Sequence, residues 1–167
     1  MPVIERLRLE HAAAVLAFEL ANRAYFAASV PDRGDDYFTG FQQRHHALLA
    51  EQAAGVCHFH VVLGEGGEVL GRVNLVDVAD GCAELGFRIA EQAAGQGLAT
   101  AVVREMCALA ARDYGLASLR AAAAVDNLGS RAVLGRAGFT PTGEQVLLSG
   151  QPGLRYLLRL AAPAITR

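Results

Sequence analysis

Two glycines spaced two residues apart, Gly95 and Gly97, stand where an alternating apolar run gives way to a helical pattern. The first N–H groups of a helix have no intrahelical partner, and the helix dipole is positive at that end. Such a helix start binds anions, typically a phosphate or pyrophosphate, and glycine lacks the Cβ that would obstruct the approach. The pattern indicates an anion-binding loop, and a tight turn without a ligand is the alternative.

Four histidines form the other group with possible chemistry. His58 and His60 share one face of a predicted strand, and His45 and His46 lie on the preceding predicted helix, so a metal site is one interpretation. Neighbouring helical residues diverge by about 100°, and Cys57 points to the strand face opposite the histidines. We therefore expect no metal, and hydrogen-bonded or solvent-facing histidines suffice.

The composition limits the classes of function. The 167 residues are 53% hydrophobic and 19% charged with a formal net charge of -2, which predicts one domain spanning residues 1–167. All 15 basic residues are arginine, which excludes a lysine Schiff base or a phosphate-loop lysine and disfavours a nucleic-acid partner. With no apolar run of membrane-span length and no signal-peptide pattern, we expect a cytoplasmic protein without a membrane partner.

Hydrophobic periodicity predicts the elements that position the glycine loop. The predicted strands cover residues 3–9, 55–63, 67–78, 82–90 and 116–125, with two more within 139–161. The predicted helices cover residues 11–29, 37–54, 97–115 and 127–138. The order β-α-α-β-β-β-α-β-α-β-β predicts an α/β (α+β) protein with a mixed sheet and helices on its faces.

Three segments, in the right order, resemble one family. The stretch QAAGQG, residues 92–97, resembles the Q-x-x-G-x-G acetyl-coenzyme-A signature of the GNAT acetyltransferase superfamily. Residues 126–139, DNLGSRAVLGRAGF, are similar to the N-x-x-S…G-F segment of its RimJ/RimL branch, and residues 19–33 are similar to that branch's first-helix segment. A dinucleotide-binding fold is the alternative, but it requires glycine where Thr100 stands and a loop in the first βαβ unit.

The resemblance implies a GNAT fold, with a mostly antiparallel sheet of about seven strands flanked by about four helices. It also implies acetyl-CoA as cofactor, direct attack by an amine in a ternary complex, and an architecture that allows a homodimer. The strand before the loop would lie along the pantetheine arm, and the loop would hold the pyrophosphate. The implied cofactor-binding residues are Phe87, Arg88, Ile89, Gln92, Ala94, Gly95, Gln96, Gly97, Leu98, Ala99, Thr100, Asn127 and Ser130.

The resemblance also implies catalytic residues. Glu84 matches the position of the acid that draws a proton from the amine, and burial beside Leu85 and Phe87 would raise its pKa toward the working range. A strand glutamate that faces solvent or an arginine is the alternative. Many relatives have a tyrosine acid where this chain has Leu134, so we assign the acid role to Ser130, with protonation of the thiolate by water as the alternative.

The acceptor is predicted with less detail. The predicted acceptor-binding residues are Tyr25, Phe26, Arg33 and Tyr37. The aromatic residues, together with Phe38, flank the polar loop 31–36 that contains Arg33 and form a plausible acceptor-site wall, and plain core packing at the helix ends is the alternative. The RimJ/RimL likeness and the low pKa of α-amines favour a protein or peptide N-terminus, such as that of a ribosomal protein. The alternatives are a small amine (amino acid, antibiotic or polyamine) and a non-catalytic sensor that binds acetyl-CoA or a nucleotide.

Overall fold

The computed structural model describes residues 2–161, which form seven β-strands and six α-helices. The strands are β1 (Val3–Arg6), β2 (His58–Leu63), β3 (Val69–Ala79), β4 (Cys82–Ile89), β5 (Ser118–Ala124), β6 (Thr140–Leu148) and β7 (Gln151–Arg159). The helices are α1 (Ala12–Ala21), α2 (Arg23–Ala27), α3 (Asp35–Thr39), α4 (Phe41–Ala53), α5 (Leu98–Tyr114) and α6 (Leu128–Arg136).

All seven strands belong to one sheet with the order β1-β2-β3-β4-β5-β7-β6. Five of the six neighbouring pairs are antiparallel, and β4–β5 is the one parallel pair among the described strands. This arrangement confirms the predicted mixed, mostly antiparallel sheet. The parallel pair is short, because it extends only from Cys82–Ser118 to Glu84–Arg120.

Helices cover both faces of the sheet. Val61 and Val62 follow each other on β2 and therefore point to opposite faces. Val61 packs with the α1 residue Val15 in one core, and Val62 packs with the α5 residue Met106 in the other. All four side chains are fully buried, and each such burial contributes about 1.5–3 kcal/mol. The two cores fix the sheet between α1 and α4 on one side and α5 and α6 on the other.

The two helices predicted before β2 are each broken into two, so the described chain has six helices where about four were expected. At Asn22 the side-chain amide donates to the Phe18 carbonyl at 2.9 Å and accepts the Glu91 N–H at 3.0 Å. These bonds compete with helix continuation. At Gly40 a Cβ would lie 3.2 Å from the Asp36 carbonyl oxygen, a tight contact that glycine avoids at the second break.

The histidines take part in packing and hydrogen bonds. His45 bonds the Arg8 carbonyl at 2.9 Å, His60 bonds the Tyr114 hydroxyl at 2.7 Å, and His58 stacks on the Tyr114 ring. Residues 2–161 contain no group of three or more side chains placed to hold a metal ion. None of the helices within this range combines the length and apolar character needed to cross a membrane.

Candidate active site

Two cavities open where β4 and β5 separate. The groove, as we call the first, has a volume of about 640 Å³ and lies between the end of β4, the start of α5 and the start of α6. The cleft, as we call the second, has a volume of about 650 Å³ and lies between residues 85–87 of β4 and 121–124 of β5. Strand separation after Glu84–Arg120 thus creates both spaces.

The glycine loop forms one end of the groove. Gly95 and Gly97 have φ angles of +74° and +77°, and no atom lies within 4 Å of a Cβ built on either residue. Glycine is needed here for the backbone conformation as well as for access. Because α5 begins at Leu98, its first N–H groups have no intrahelical partner beside this open space. The loop therefore fits the phosphate-binding role predicted from the sequence.

Most residues predicted to bind the cofactor line the groove. Gln92 and Gln96 do not line it, and Gln96 instead donates to the Gln92 carbonyl at 3.4 Å. The predicted residues that line it are Phe87, Arg88, Ile89, Ala94, Gly95, Gly97, Leu98, Ala99, Thr100, Asn127 and Ser130. Sequence reasoning missed Ser29, Val30, Ala93, Leu128, Gly129, Ala132, Val133 and Arg136.

The groove and the cleft meet at a common wall, which we call the junction. The residues that line both cavities are Ser29, Val30, Phe87, Asn127 and Ser130. The Asn127 side chain accepts the Ser130 N–H at 3.2 Å and so caps α6, which fixes both residues at the junction. A group transferred between ligands in the two cavities would pass this point.

Comparison with known families decides the assignment. Residues 3–140 match the sequence model of a family described as acetyltransferase (GNAT) domain. The chain belongs to the GNAT acetyltransferase family. It is therefore an enzyme, an acyltransferase that uses acetyl-CoA. A search of curated protein sequences found no match to this chain.

Solved structures of other acetyltransferases share the fold. Ribosomal-protein-S5-alanine acetyltransferase from Vibrio fischeri has a TM-score of 0.86 at 18% identity, covering 94% of this chain and 92% of that one. RimJ of Mycobacterium smegmatis, in complex with CoA-disulfide, has a TM-score of 0.82 at 24% identity, covering 93% of this chain and 80% of that one. A spermidine N-acetyltransferase chimera of Vibrio cholerae and hSSAT has a TM-score of 0.76 at 17% identity over 95% of each chain. These matches confirm the predicted GNAT fold.

The surroundings of Glu84 in this GNAT enzyme differ from the sequence-based expectation. Its side chain is 29% exposed and lies 3.5 Å from Arg155 NH1 and 3.9 Å from Arg120 Nε. Glu84 thus faces two arginines and not an apolar pocket, and it is not among the residues that line the groove or the cleft. The acid that lines the cleft is Asp126, two residues after β5, which the sequence indicated only as the strand-closing acid of the alternative dinucleotide-binding fold.

The predicted acceptor wall is divided between two places. Tyr25 and Phe26 line the groove, whereas Arg33 and Tyr37 belong to a buried ion cluster, and none of the four lines the cleft. The first-helix region instead contributes residues 27–31 to the cleft. The helix break at Asn22 separates these side chains from the first helix, and hydrophobic spacing does not reveal it.

The ion cluster is centred on Glu19, whose side chain is 1% exposed. Its carboxylate lies 3.0 Å from Arg72 NH1, 3.2 Å from Arg88 NH1 and 3.5 Å from Arg33 Nε. Burial lowers the pKa of Arg88, and the nearby Arg33 lowers it further. The one signal in the sequence was the helical spacing of Glu19, four residues after the buried Val15.

Proposed function

We propose that this enzyme transfers acetyl from acetyl-CoA to the α-amine of a protein or peptide N-terminus by direct attack in a ternary complex. The observation that carries the proposal is the junction. The groove offers a phosphate-binding helix start, the cleft opens from the other side, and both reach Phe87, Asn127 and Ser130. A thioester in the groove and an amine in the cleft would therefore meet without a covalent enzyme intermediate.

The chain supplies no thiol for such an intermediate at this point. No cysteine lies among the described residues that line the groove or the cleft, and free Cys57, Cys82 and Cys107 lie elsewhere. Orientation of two bound reactants is itself a large source of rate enhancement. Acetyl-CoA supplies the activated acetyl group, and the residues at the junction hold the two reactants in reach of each other.

The proton balance favours an α-amine over a lysine side chain. An amine must lose its proton before it attacks, and at pH 7.4 this costs about 0.4–0.8 kcal/mol for an α-amine and roughly 4 kcal/mol for lysine. The carboxylates near the cleft are Asp126, which is exposed, and Glu84, which is paired with two arginines. Neither occupies the desolvated site that would help a high-pKa amine. We propose Glu84, acting through water, as the base, and Ser130 as the acid.

The charge of the cleft also bears on the acceptor. Among the described residues that line it, Asp126 is the one acidic side chain. A polyamine carries several cations and gains from several carboxylates, so a polyamine is the weaker candidate. The fold similarity to ribosomal-protein acetyltransferases supports a RimJ/RimL-like protein N-terminus.

A panel of acceptors tests the proposal. Peptides that begin with Ala or Ser are compared with N-terminally blocked copies that retain an internal Lys, and with spermidine. Release of the CoA thiol gives the rate, and mass spectrometry locates the acetyl group. We expect acetylation of free α-amines. Acetylation of only the blocked peptides, or a preference for spermidine, would refute the α-amine, and acetyl-CoA binding without turnover on any amine would indicate a sensor.

A further inference from the structure

We propose that the acceptor carries a carboxylate close to its amine, and that Arg33 and Arg88 bind this carboxylate. The inference rests on the proposed function and specifies its acceptor as an N-terminus followed by an acidic side chain. The site is a small cavity beside the junction, which we call the arginine pocket. The residues that line it are Glu19, Arg23, Phe26, Ala27, Pro31, Asp32, Arg33, Phe38 and Arg88.

The arginine pocket adjoins both larger cavities. It shares Ala27 and Pro31 with the cleft, and it shares Phe26 and Arg88 with the groove. Its volume of about 10 Å³ suits one water-sized group, such as a carboxylate oxygen. Because the pocket shares walls with both cavities, the proposal places there a side chain that lies one or two residues from the reacting amine.

The arginines in and around the pocket outnumber the carboxylates that pair with them. Arg33, Arg72 and Arg88 share the single carboxylate of Glu19. Arg72 is 5% exposed, and its Nε is buried without a hydrogen-bond partner in the described part of the chain. Arg33 and Arg88, which line the pocket, therefore share one carboxylate with the buried Arg72, and an anion of the ligand would balance the positive charge that Glu19 leaves over.

The other charged side chains of the pocket already have partners. Arg23 donates to both Asp32 oxygens, from Nε at 3.0 Å and from NH2 at 2.8 Å, and to Asp35 at 2.9 Å. Asp32 therefore does not neutralise Arg33. The structure assigns the remaining guanidinium donors of Arg33 and Arg88 to the ligand.

The two guanidinium groups are held in fixed orientations. Arg33 lies over the Tyr37 ring with its carbon 4.7 Å from the ring centroid, and Arg88 lies over Phe26 at the same distance. Stacked, planar arginines are suited to recognise a carboxylate with directed hydrogen bonds. Phe26 and Tyr37 thus serve the site by placing these groups, and not as a wall around the amine.

Matched peptides test the inference. Peptides beginning Ser-Asp or Ala-Glu are compared with Ser-Asn and Ala-Gln copies, and kcat/KM is measured with the wild type and with Arg33→Gln, Arg33→Lys and Arg112→Gln. Loss of one hydrogen bond between charged groups of an enzyme and its substrate lowers kcat/KM by about 10- to 100-fold. We expect the wild type to prefer the acidic peptides by at least about 10-fold.

Arg33→Gln is expected to reduce the preference to near unity, Arg33→Lys to retain part of it, and Arg112→Gln to retain all of it. Arg112 is a suitable control because it pairs with Asp113 on the surface of α5. Equal rates on acidic and amide peptides, or an undiminished preference in Arg33→Gln, would overturn the inference while leaving the proposed α-amine function intact. Turnover on free aspartate in place of the peptides would assign the carboxylate to a small amino acid, and no turnover on any peptide would overturn both proposals.

Discussion

Glu84 and Arg120 are the last residue pair of the parallel ladder between β4 and β5, with their charged groups 3.9 Å apart. Beyond this pair the strands diverge, and residues 85–87 and 121–124 form opposite walls of the cleft. Arg155 of β7 approaches the same carboxylate to 3.5 Å. Glu84 therefore lies at the base of the opening and has both a structural and a proposed chemical role, which mutation can separate.

Glu84→Gln is expected to lower kcat by about 10²–10⁴-fold if Glu84 is the general base. The loss should be largest below the pKa of the acceptor amine, where most of the amine is protonated. Asp126→Asn, which changes the acid lining the cleft, is expected to have a smaller effect. Steady-state kinetics between pH 6 and 9 with one α-amine peptide compares them.

Glu144→Gln is the control for this pair of variants. Glu144 lies 3.7 Å from the same Arg155, is 64% exposed and lines neither cavity. If Glu144→Gln and Glu84→Gln lose the same amount of activity, Glu84 acts by holding Arg155. If kcat of Glu84→Gln is unchanged across the pH range, Glu84 has no part in proton transfer.

Gly97→Asp is expected to abolish acetyl-CoA binding, because its carboxylate would face the pyrophosphate at the start of α5. Like charges in a partly dehydrated site repel by several kcal/mol. Since Gly97 has a φ of +77°, the substitution also strains the backbone. Gly67→Asp separates these effects, because Gly67 has a φ of +81° and equally open space, but lies in the β2–β3 turn. Calorimetry that found normal affinity in folded Gly97→Asp would show that the loop does not hold the pyrophosphate.

Ser130→Ala is expected to lower kcat while acetyl-CoA affinity stays close to that of the wild type. The Asn127 cap on α6 uses the Ser130 backbone N–H, so it survives removal of the hydroxyl. An acyl donor whose thiol is a better leaving group should restore turnover if the hydroxyl protonates the thiolate. Rates that fall equally with both donors would assign Ser130 to positioning.

Local patterns were sufficient to predict the glycine loop, the order of helices and strands along the chain and the α6 segment, because a few neighbouring residues determine each of them. The Glu19 cluster was not predictable in this way. Glu19 and Arg72 are 53 residues apart in the chain, and Glu19 and Arg88 are 69 apart. Their contact depends on the register that places Arg72 opposite Arg88 and on the position of α1 above the sheet. Such long-range charge pairing leaves no periodic signal.

His60 should make the stability of the fold depend on pH. It is 2% exposed, bonds the Tyr114 hydroxyl at 2.7 Å, and burial lowers its pKa to about 4, with Arg6 and His58 adding repulsion. In the unfolded chain its pKa returns to about 6.5, so the unfolded state binds more protons between these values. Stability from neutral His60 is therefore present above pH 6.5 and is lost as the pH falls toward 4. From pH 7 to pH 5 the loss is about 2 kcal/mol.

His60→Gln replaces the titrating group by a polar side chain that does not titrate, so its free energy of unfolding should fall less over this pH range. Urea unfolding at pH 5, 6 and 7 measures the difference between the two slopes. His46→Gln is the control, because His46 is exposed on α4 and should leave the wild-type slope unchanged. Burial also lowers the pKa of His58, so the variant retains a smaller loss of the same sign. If the wild type and His60→Gln lose stability in parallel, His60 is not the group whose protonation destabilises the fold.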